Sequence, residues 1–218
     1  LAAAAWIVLL YVPAPHALSA KSGQPITIRL VQGEAGDVST LLEISRNSPE
    51  GSADVILWPE YSINSDPRLS PALWDPLSAL PREENCYFVF GAIQGDSTQK
   101  DANTFRNTAF VLDPQGQLIG THVKNYPVHL MKDGLAGTDA LPVETAFGLL
   151  GVAICFDMDF PDVARRLAQN GARILLVPNM DPEHWGPVQH AQHAQQFQMR
   201  AIECDRWVAR ADVAGGTS

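Results

Sequence analysis

Three residues with the chemistry of covalent acyl transfer each follow a short apolar segment of this chain. Cys155 ends "GVAIC", Glu60 ends "DVILWPE" and Lys124 ends "THVK". A thiol is a strong nucleophile, a carboxylate can take its proton and return it to a leaving amine, and an ammonium can stabilise a negatively charged tetrahedral intermediate. Together the three residue types suit attack on an amide or nitrile carbon, which is a poor electrophile.

Each of these residues also has a simpler interpretation. Most free cysteines are small buried apolar residues, so Cys155 is open to both a nucleophilic and a core-filling role. A lone Glu or Lys at the end of a strand is usually solvated, and this applies to Glu60 and Lys124. The chemical interpretation depends on their shared location, because α/β proteins bind ligands at the carboxyl ends of their strands.

The segments around these residues alternate between strand and helix patterns. Strands are predicted at "ITIRLVQ", "ADVILWP", "CYFVFGAI", "LLGVAI", "ARILLVP" and "WVARADV", and a hairpin at "TAFVLDPQGQLIGTHV". Helices are predicted at "DVSTLLEISRNS" with Asp37 as N-cap, at "PDVARRLAQNGA" with Pro161 in its first turn and Gly171 at its C-cap, and at "VQHAQHAQQFQMRAIECD". Interleaved strands and helices predict an α/β fold.

This pattern places Cys155 on the turn between a buried strand and a helix. The positive end of that helix would favour a thiolate, and the backbone N–H groups of the turn could hold an oxyanion. Phe156, the next residue, is therefore a candidate for oxyanion or substrate binding.

Composition excludes several other kinds of protein. The net charge is −9 and no Lys/Arg cluster occurs, which argues against a nucleic-acid partner. Three widely spaced cysteines without a C-x-x-C motif indicate neither a disulfide framework nor a zinc knuckle. His184, His190 and His193 suggest zinc, and His190 and His193 are one turn apart on the predicted long helix. This pair lacks a convincing third and fourth ligand, and a glutamine-rich polar helix face is the favoured explanation. We predict no metal and no cofactor.

The chain opens with an uncharged apolar run, "LAAAAWIVLLYV". We interpret residues 1–25 as the tail of a transmembrane helix or a signal segment followed by a linker, and residues 26–218 as the catalytic domain. A buried N-terminal helix of the domain is the alternative. The expected location is membrane-anchored with the catalytic domain outside the cytoplasm; a cytoplasmic or secreted soluble protein is the second possibility.

The three motifs "WPE", "THVKNYPV" and "GVAICFDMDFPD" together resemble the Glu-Lys-Cys triad of the nitrilase (carbon-nitrogen hydrolase) superfamily. The resemblance implies an α-β-β-α sandwich with the triad at its rim. It makes Glu60 the general base and acid, Lys124 the stabiliser of the tetrahedral intermediate, and Cys155 the nucleophile that forms a thioester.

Within this superfamily, the apolar run followed by "IRLVQGEAG" is most similar to apolipoprotein N-acyltransferases and their membrane-anchored relatives. This implies transfer of an acyl group from a lipid donor to an amine acceptor. An amidohydrolase acting on a small amide is the alternative, and a catalytically silent ligand-binding relative is a third. Such relatives often pair, so a homo-oligomer is also among the expected partners.

Two features depart from the family pattern. Many relatives carry a second glutamate after the lysine, in a segment similar to "HPVPFVE", whereas this chain has "YPVHLMKDG" with Lys132 near the expected place and Asp133 beside it. The carboxylate has either shifted by one residue, which makes Asp133 a candidate site residue, or been lost. The chain also ends at "VAGGTS", where the family's domain continues, so the domain is predicted to be incomplete, with an exposed sheet edge.

Overall fold

The computed structural model describes residues 25–33, 37–47, 51–95 and 104–213. The apolar run at residues 1–12 and the linker up to residue 24 lie outside these ranges, so the predicted membrane or signal segment stays a prediction. Among the described helices, none combines the length and hydropathy that crossing a bilayer requires.

The described strands form two sheets. The first has the spatial order β1 (Ile28–Leu30), β2 (Val55–Leu57), β3 (Tyr87–Gly95), β4 (Phe105–Leu112) and β5 (Leu118–Val123), with β1 to β3 parallel and the β4–β5 hairpin antiparallel. The second has the order β6 (Val143–Thr145), β7 (Gly148–Val152), β8 (Ile174–Pro178) and β9 (Trp207–Ala211), with β6 antiparallel and the others parallel. The predicted hairpin and strands are confirmed.

Four α-helices occur in the described ranges: α1 (Val38–Arg46), α2 (Pro71–Glu84), α3 (Pro161–Gln169) and α4 (Pro187–Cys204). Asp37 caps α1 as predicted, because its carboxylate accepts the backbone N–H groups of Ser39 and Thr40. Gly171, predicted as the C-cap of α3, lies one residue beyond the observed cap, Asn170, and takes the left-handed φ of 94° that glycine tolerates.

Successive side chains of each strand point to opposite faces of its sheet, and they contribute to three apolar layers: one outside each sheet and one between the two sheets. Ile56, Phe88 and Phe90 pack against α1 and α2 on the outer face of the first sheet. Their neighbours Val55, Leu57 and Val89 point the other way, into the space between the sheets, where they meet Leu150, Val152 and Ile154. Leu175 and Val177 cover the outer face of the second sheet with residues of α3 and α4. The fold is therefore the α-β-β-α sandwich that the resemblance implied.

The sandwich brings the ends of strands from both sheets together. Glu60 lies three residues beyond β2, Lys124 follows β5 directly, and Cys155 lies three residues beyond β7. The backbone N–H of Glu60 donates to the carbonyl of Asn179, just after β8, at 3.2 Å. This hydrogen bond links the loop from the first sheet to the second sheet.

Gly91 of β3 allows the loop that carries Glu60 to cross the strand closely. A Cβ at position 91 would lie 2.6 Å from Glu60 Cα and 2.8 Å from the carbonyl oxygen of Pro59. Both contacts involve backbone atoms, so they cannot be relieved by a side-chain rotation. Only a residue without a side chain at position 91 therefore allows the observed position of the Glu60 backbone.

We predict that Gly91→Ala lowers the free energy of unfolding by about 2 kcal/mol, since inserting atoms into a packed region costs that much. It should also lower kcat, because the displaced loop carries Glu60. Thermal or denaturant unfolding and steady-state kinetics measure both effects. Gly33→Ala is the control: its Cβ would meet only a methyl of Leu41, at 3.1 Å, which can move. Equal effects of the two substitutions would contradict this explanation.

Candidate active site

Glu60, Lys124 and Cys155 line one cavity of about 220 Å³. Their side chains are almost completely buried, with 1%, 2% and 4% exposed, respectively. The cavity is also lined by Tyr61, Val128, Met131, Lys132, Asp133, Met180 and Trp185. The structure thus brings together the three residues that the motifs singled out, although they lie between 31 and 95 positions apart in the chain.

The ammonium of Lys124 lies between two carboxylates. Its Nζ is 2.8 Å from Glu60 Oε1 and 2.8 Å from Asp133 Oδ2. Burial favours the neutral amine, but the negative charges of Glu60 and Asp133 outweigh burial and raise the pKa of Lys124. The lysine is therefore protonated at neutral pH and can act as a fixed positive charge.

Asp133 supplies the second carboxylate of the site. It accepts hydrogen bonds from the hydroxyl of Tyr61 at 2.6 Å and from the backbone N–H of Val128 at 2.8 Å. Burial disfavours its charged form, yet Lys124 and these donors lower the pKa of Asp133. Asp133 thus contacts Lys124, as a carboxylate shifted by one residue would, and its correspondence to the family's second glutamate stays a prediction. Lys132, beside it, is exposed, with its ammonium 5.6 Å from the ring centre of Phe105.

Asn107 is a site residue that the sequence analysis missed. Its Nδ2 donates to Glu60 Oε1 at 2.6 Å and to Asp133 Oδ1 at 2.8 Å, so it holds both carboxylates in place around the lysine. Its backbone carbonyl accepts the N–H of Lys124 at 2.9 Å. A polar residue within the buried strand segment "FRNTAFVL" was the available signal.

The carboxyl group of Glu60 has an environment that suits proton transfer. Burial raises its pKa and the nearby charge of Asp133 adds to this, whereas Lys124 opposes it. The net result is a raised pKa for Glu60. A carboxyl group whose pKa is shifted towards neutrality both accepts and returns a proton readily.

Cys155 begins a short 3₁₀ segment, Cys155–Asp159, with a φ of 44°. This left-handed conformation is uncommon for a residue with a side chain and is found at tight turns and functional sites. Burial raises the pKa of the thiol well above its ordinary value, Glu60 raises it further, and Lys124 lowers it. The thiol is therefore protonated at neutral pH and needs a base to become a thiolate.

Phe156 does not line the cavity. Its side chain packs beside the layer between the sheets and contacts the ring of Phe160, with the ring centres 5.3 Å apart. The predicted oxyanion role of Phe156 stays a prediction, and it would fall to the backbone N–H of this residue.

Asp157 fixes the turn that carries the nucleophile, another function that the sequence analysis missed. One oxygen accepts the backbone N–H of Ile154 at 3.0 Å and lies 2.9 Å from His122 Nε2. The other accepts the backbone N–H groups of Asn125 and Tyr126, each at 2.9 Å. This fully buried carboxylate therefore ties the cysteine turn to the segment that follows Lys124.

The three histidines considered for zinc have different surroundings. His184 lies in a short 3₁₀ segment, and His190 Nε2 lies 3.0 Å from the carbonyl oxygen of Pro182. His193 is buried, with Nδ1 2.7 Å from Asp181 Oδ2, so the interpretation as part of a polar helix face is wrong for this residue. A carboxylate partner makes its burial tolerable.

One cluster of potential metal-binding groups occurs among the described residues. Ligand atoms of Cys155, Asp181 and His193 lie within 4.8 Å of one another. Both ring nitrogens of His193 already face carboxylate oxygens, of Asp181 and of Asp159. We therefore interpret the cluster as a network of ion pairs.

Comparisons with known proteins agree with this arrangement. The model of the family "Carbon-nitrogen hydrolase" matches residues 27–218. An omega-amidase of Xenopus laevis is 31% identical over 77% of this chain and 59% of its own length. An apolipoprotein N-acyltransferase of Pseudomonas aeruginosa is 25% identical over 97% of this chain and 47% of its own length. The chain thus spans about half of the length of the curated relatives it matches.

Solved structures share the fold. A cysteine-to-alanine mutant of the Nesterenkonia AN1 amidase, described as a nitrilase-superfamily member, superposes with a TM-score of 0.72 at 20% identity, covering 88% of this chain and 78% of the amidase. At this identity the likeness concerns the sandwich architecture alone. The family match covers most of the chain, and it includes all three motifs of the cavity. The chain therefore belongs to the carbon-nitrogen hydrolase family of the nitrilase superfamily.

Proposed function

We propose that this chain cleaves the carbon–nitrogen bond of a small amide through a thioester on Cys155. The observation that carries the proposal is the buried ion-pair cluster at the cavity, in which one ammonium is held between Glu60 and Asp133 at 2.8 Å from each. Fixed charges around a nucleophile in a buried site stabilise charge that develops during acyl transfer.

The reaction begins with transfer of the thiol proton to Glu60 as the sulfur attacks the amide carbonyl carbon. Lys124 stabilises the negative oxygen of the tetrahedral intermediate, while Asp133 keeps this lysine charged and in position. The intermediate collapses when Glu60 returns the proton to the nitrogen, and the amine leaves. Glu60 then takes a proton from water, which attacks the thioester carbonyl carbon. When the carbon–sulfur bond breaks, the carboxylic acid is released and Glu60 gives the proton to the leaving sulfur, which restores the thiol.

The size and lining of the cavity support a short acyl group. The cavity volume of about 220 Å³ lies below the range of about 300–1,000 Å³ that is usual for pockets that bind drug-sized ligands. Its apolar walls come from Val128, Met131, Met180 and Trp185. A short aliphatic amide matches this space, whereas most of a long lipid acyl chain would remain outside.

Acyl transfer to an amine is a second candidate. It is supported by the similarity to the Pseudomonas aeruginosa N-acyltransferase, which extends over 97% of this chain, compared with 77% for the omega-amidase. The thioester would be the same, and an amine would replace water as the acceptor. A lipid acyl donor, an anchor within residues 1–25 and a catalytic domain outside the cytoplasm belong to this second candidate and are proposals with it.

The test compares a series of linear amides, from acetamide to octanamide, with a phospholipid in detergent micelles as acyl donor. Hydroxylamine provides an amine acceptor. We expect an acyl adduct on Cys155 by intact-protein mass spectrometry, and ammonia release that falls at least about tenfold between the best short amide and octanamide, because a filled pocket rejects added methylenes.

Two other outcomes would overturn the first candidate. An adduct from the lipid but from none of the amides, with hydroxamate as the product, would favour acyl transfer. No adduct from either donor, in a chain that remains folded, would favour a catalytically silent ligand-binding protein.

A further inference from the structure

A second buried charge cluster lies on the side of the nucleophile formed by α4 and the loop after β8. His193 of α4 has Nδ1 at 2.7 Å from Asp181 Oδ2 and Nε2 at 3.2 Å from Asp159 Oδ1. Its side chain is 5% exposed. Nδ1 is hydrogen-bonded to the Asp181 carboxylate, whereas Nε2 only lies close to the Asp159 carboxylate. A carboxylate on each side of the imidazole favours the charged form of the ring.

This imidazolium connects the two chain segments that surround the sulfur. Asp159 ends the 3₁₀ segment that Cys155 begins. Asp181 follows Met180, which lines the same cavity as Cys155 and whose backbone N–H lowers the pKa of the thiol. His193 therefore holds both segments to the same helix.

The cluster is also close enough to influence the charge on the sulfur. Ligand atoms of Cys155, Asp181 and His193 lie within 4.8 Å of one another. A negative Asp181 disfavours a thiolate, and its charge raises the pKa of Cys155. A positive His193 compensates for it, because at a few ångströms in a buried site two opposite charges largely cancel.

Two further charged groups, Arg210 and Asp212, lie next to Asp181. The guanidinium of Arg210 is 3.5 Å from Asp181 Oδ2 and 3.7 Å from Asp212 Oδ2, so the charges of Arg210 and Asp212 offset each other. Burial lowers the pKa of His193, but the two carboxylates that face its ring outweigh burial and raise it to about 9. The ring is therefore charged at neutral pH and neutral above about pH 9.

We propose that His193 is a positioning residue for the nucleophile: placed between Asp159 and Asp181, it cancels the charge of Asp181 and holds the Met180–Asp181 segment beside the cavity. The inference rests on Cys155 being the reactive thiol of the proposed function. It concerns the ease with which this thiol becomes a thiolate, and that property can be measured without turnover.

The test is the rate of Cys155 alkylation by iodoacetamide as a function of pH, read by peptide mass spectrometry. We expect His193→Gln to slow alkylation at neutral pH about tenfold and to move its midpoint up by about one pH unit. Asp181→Asn should speed it up, since the opposing charge is gone. The double variant His193→Gln/Asp181→Asn should recover most of the wild-type rate, because neither charge remains.

Cys204, half-buried near the end of α4, is alkylated in the same samples and serves as the internal control. Thermal unfolding checks that each variant is folded, and Asp181→Asn tests the charge argument independently if His193→Gln does not fold. A double variant as slow as His193→Gln, or an Asp181→Asn rate equal to wild type, would overturn the proposal. Alkylation with these shifts in a chain that turns over no amide would overturn the proposed function and leave this inference intact.

Discussion

Replacing Cys155 with alanine should abolish amide turnover, with a loss of at least about 10⁴-fold in kcat, and should eliminate the acyl adduct. Removing the nucleophile of a covalent mechanism leaves only the contribution of binding and of the oxyanion-stabilising groups. Because only one sulfur atom is removed from a buried position, the free energy of unfolding should change by about 1 kcal/mol. Ammonia release and intact-protein mass spectrometry measure the two catalytic effects.

Cys204→Ala is the matched control. Cys204 lies at the end of α4 and does not line the cavity, so its replacement should leave both turnover and the adduct unchanged. Turnover by Cys155→Ala above about 1% of the wild-type rate would mean that another group attacks the carbonyl, and the assignment of the nucleophile would then be wrong.

Lys124→Met should cause the second largest effect, because it leaves two carboxylates buried without their shared cation. Breaking a buried ion pair by removing one partner costs about 3–5 kcal/mol of unfolding free energy. Turnover should fall about 10³-fold, as expected when a stabiliser of the tetrahedral intermediate is lost. Denaturant unfolding and steady-state kinetics provide both measurements.

The stability loss in Lys124→Met should depend on pH in a defined direction. Without the lysine, burial and mutual repulsion would raise the pKa of Glu60 and Asp133 in the folded variant above their unfolded values. Folding would then take up protons, so the variant should be less destabilised near pH 5 than near pH 8. Lys132→Met is the control for stability. Its side chain is exposed, and we expect a change below about 1 kcal/mol. A loss independent of pH would contradict the ion-pair explanation.

The sequence predicted the residues that follow strands, because strand positions could be inferred from local patterns. Alternating and continuous apolar segments located β2, β5 and β7, and the polar or charged residue after each one was Glu60, Lys124 or Cys155. The sandwich then brought these strand ends together. Local periodicity could not locate α2, since Pro76 and Pro81 inside that helix disrupt the usual pattern.

The residues that the sequence did not predict act through distant partners. Asn107 is one of several polar residues in its strand segment, and its role can be recognised only when Glu60 and Asp133 are placed beside it. His193 appeared to be part of a polar helix face, yet the chain brings Asp159 and Asp181 to its two nitrogens. The contact between Asp133 and Lys124 also could not be predicted, since it depends on the path of the segment between these two residues. Such contacts are properties of the tertiary structure.

The hydrogen bonds of Asp157 have a consequence for the folding of the chain. Its partners His122 and Asn125 lie 35 and 32 positions earlier in the sequence, on the segment that leaves the other sheet. Contacts over such separations require the intervening loop to be closed. The cysteine turn is therefore held in place only in a chain whose two sheets are docked. A partly unfolded chain carries an ordinary cysteine there, so chemical selectivity at this thiol depends on the docked sandwich.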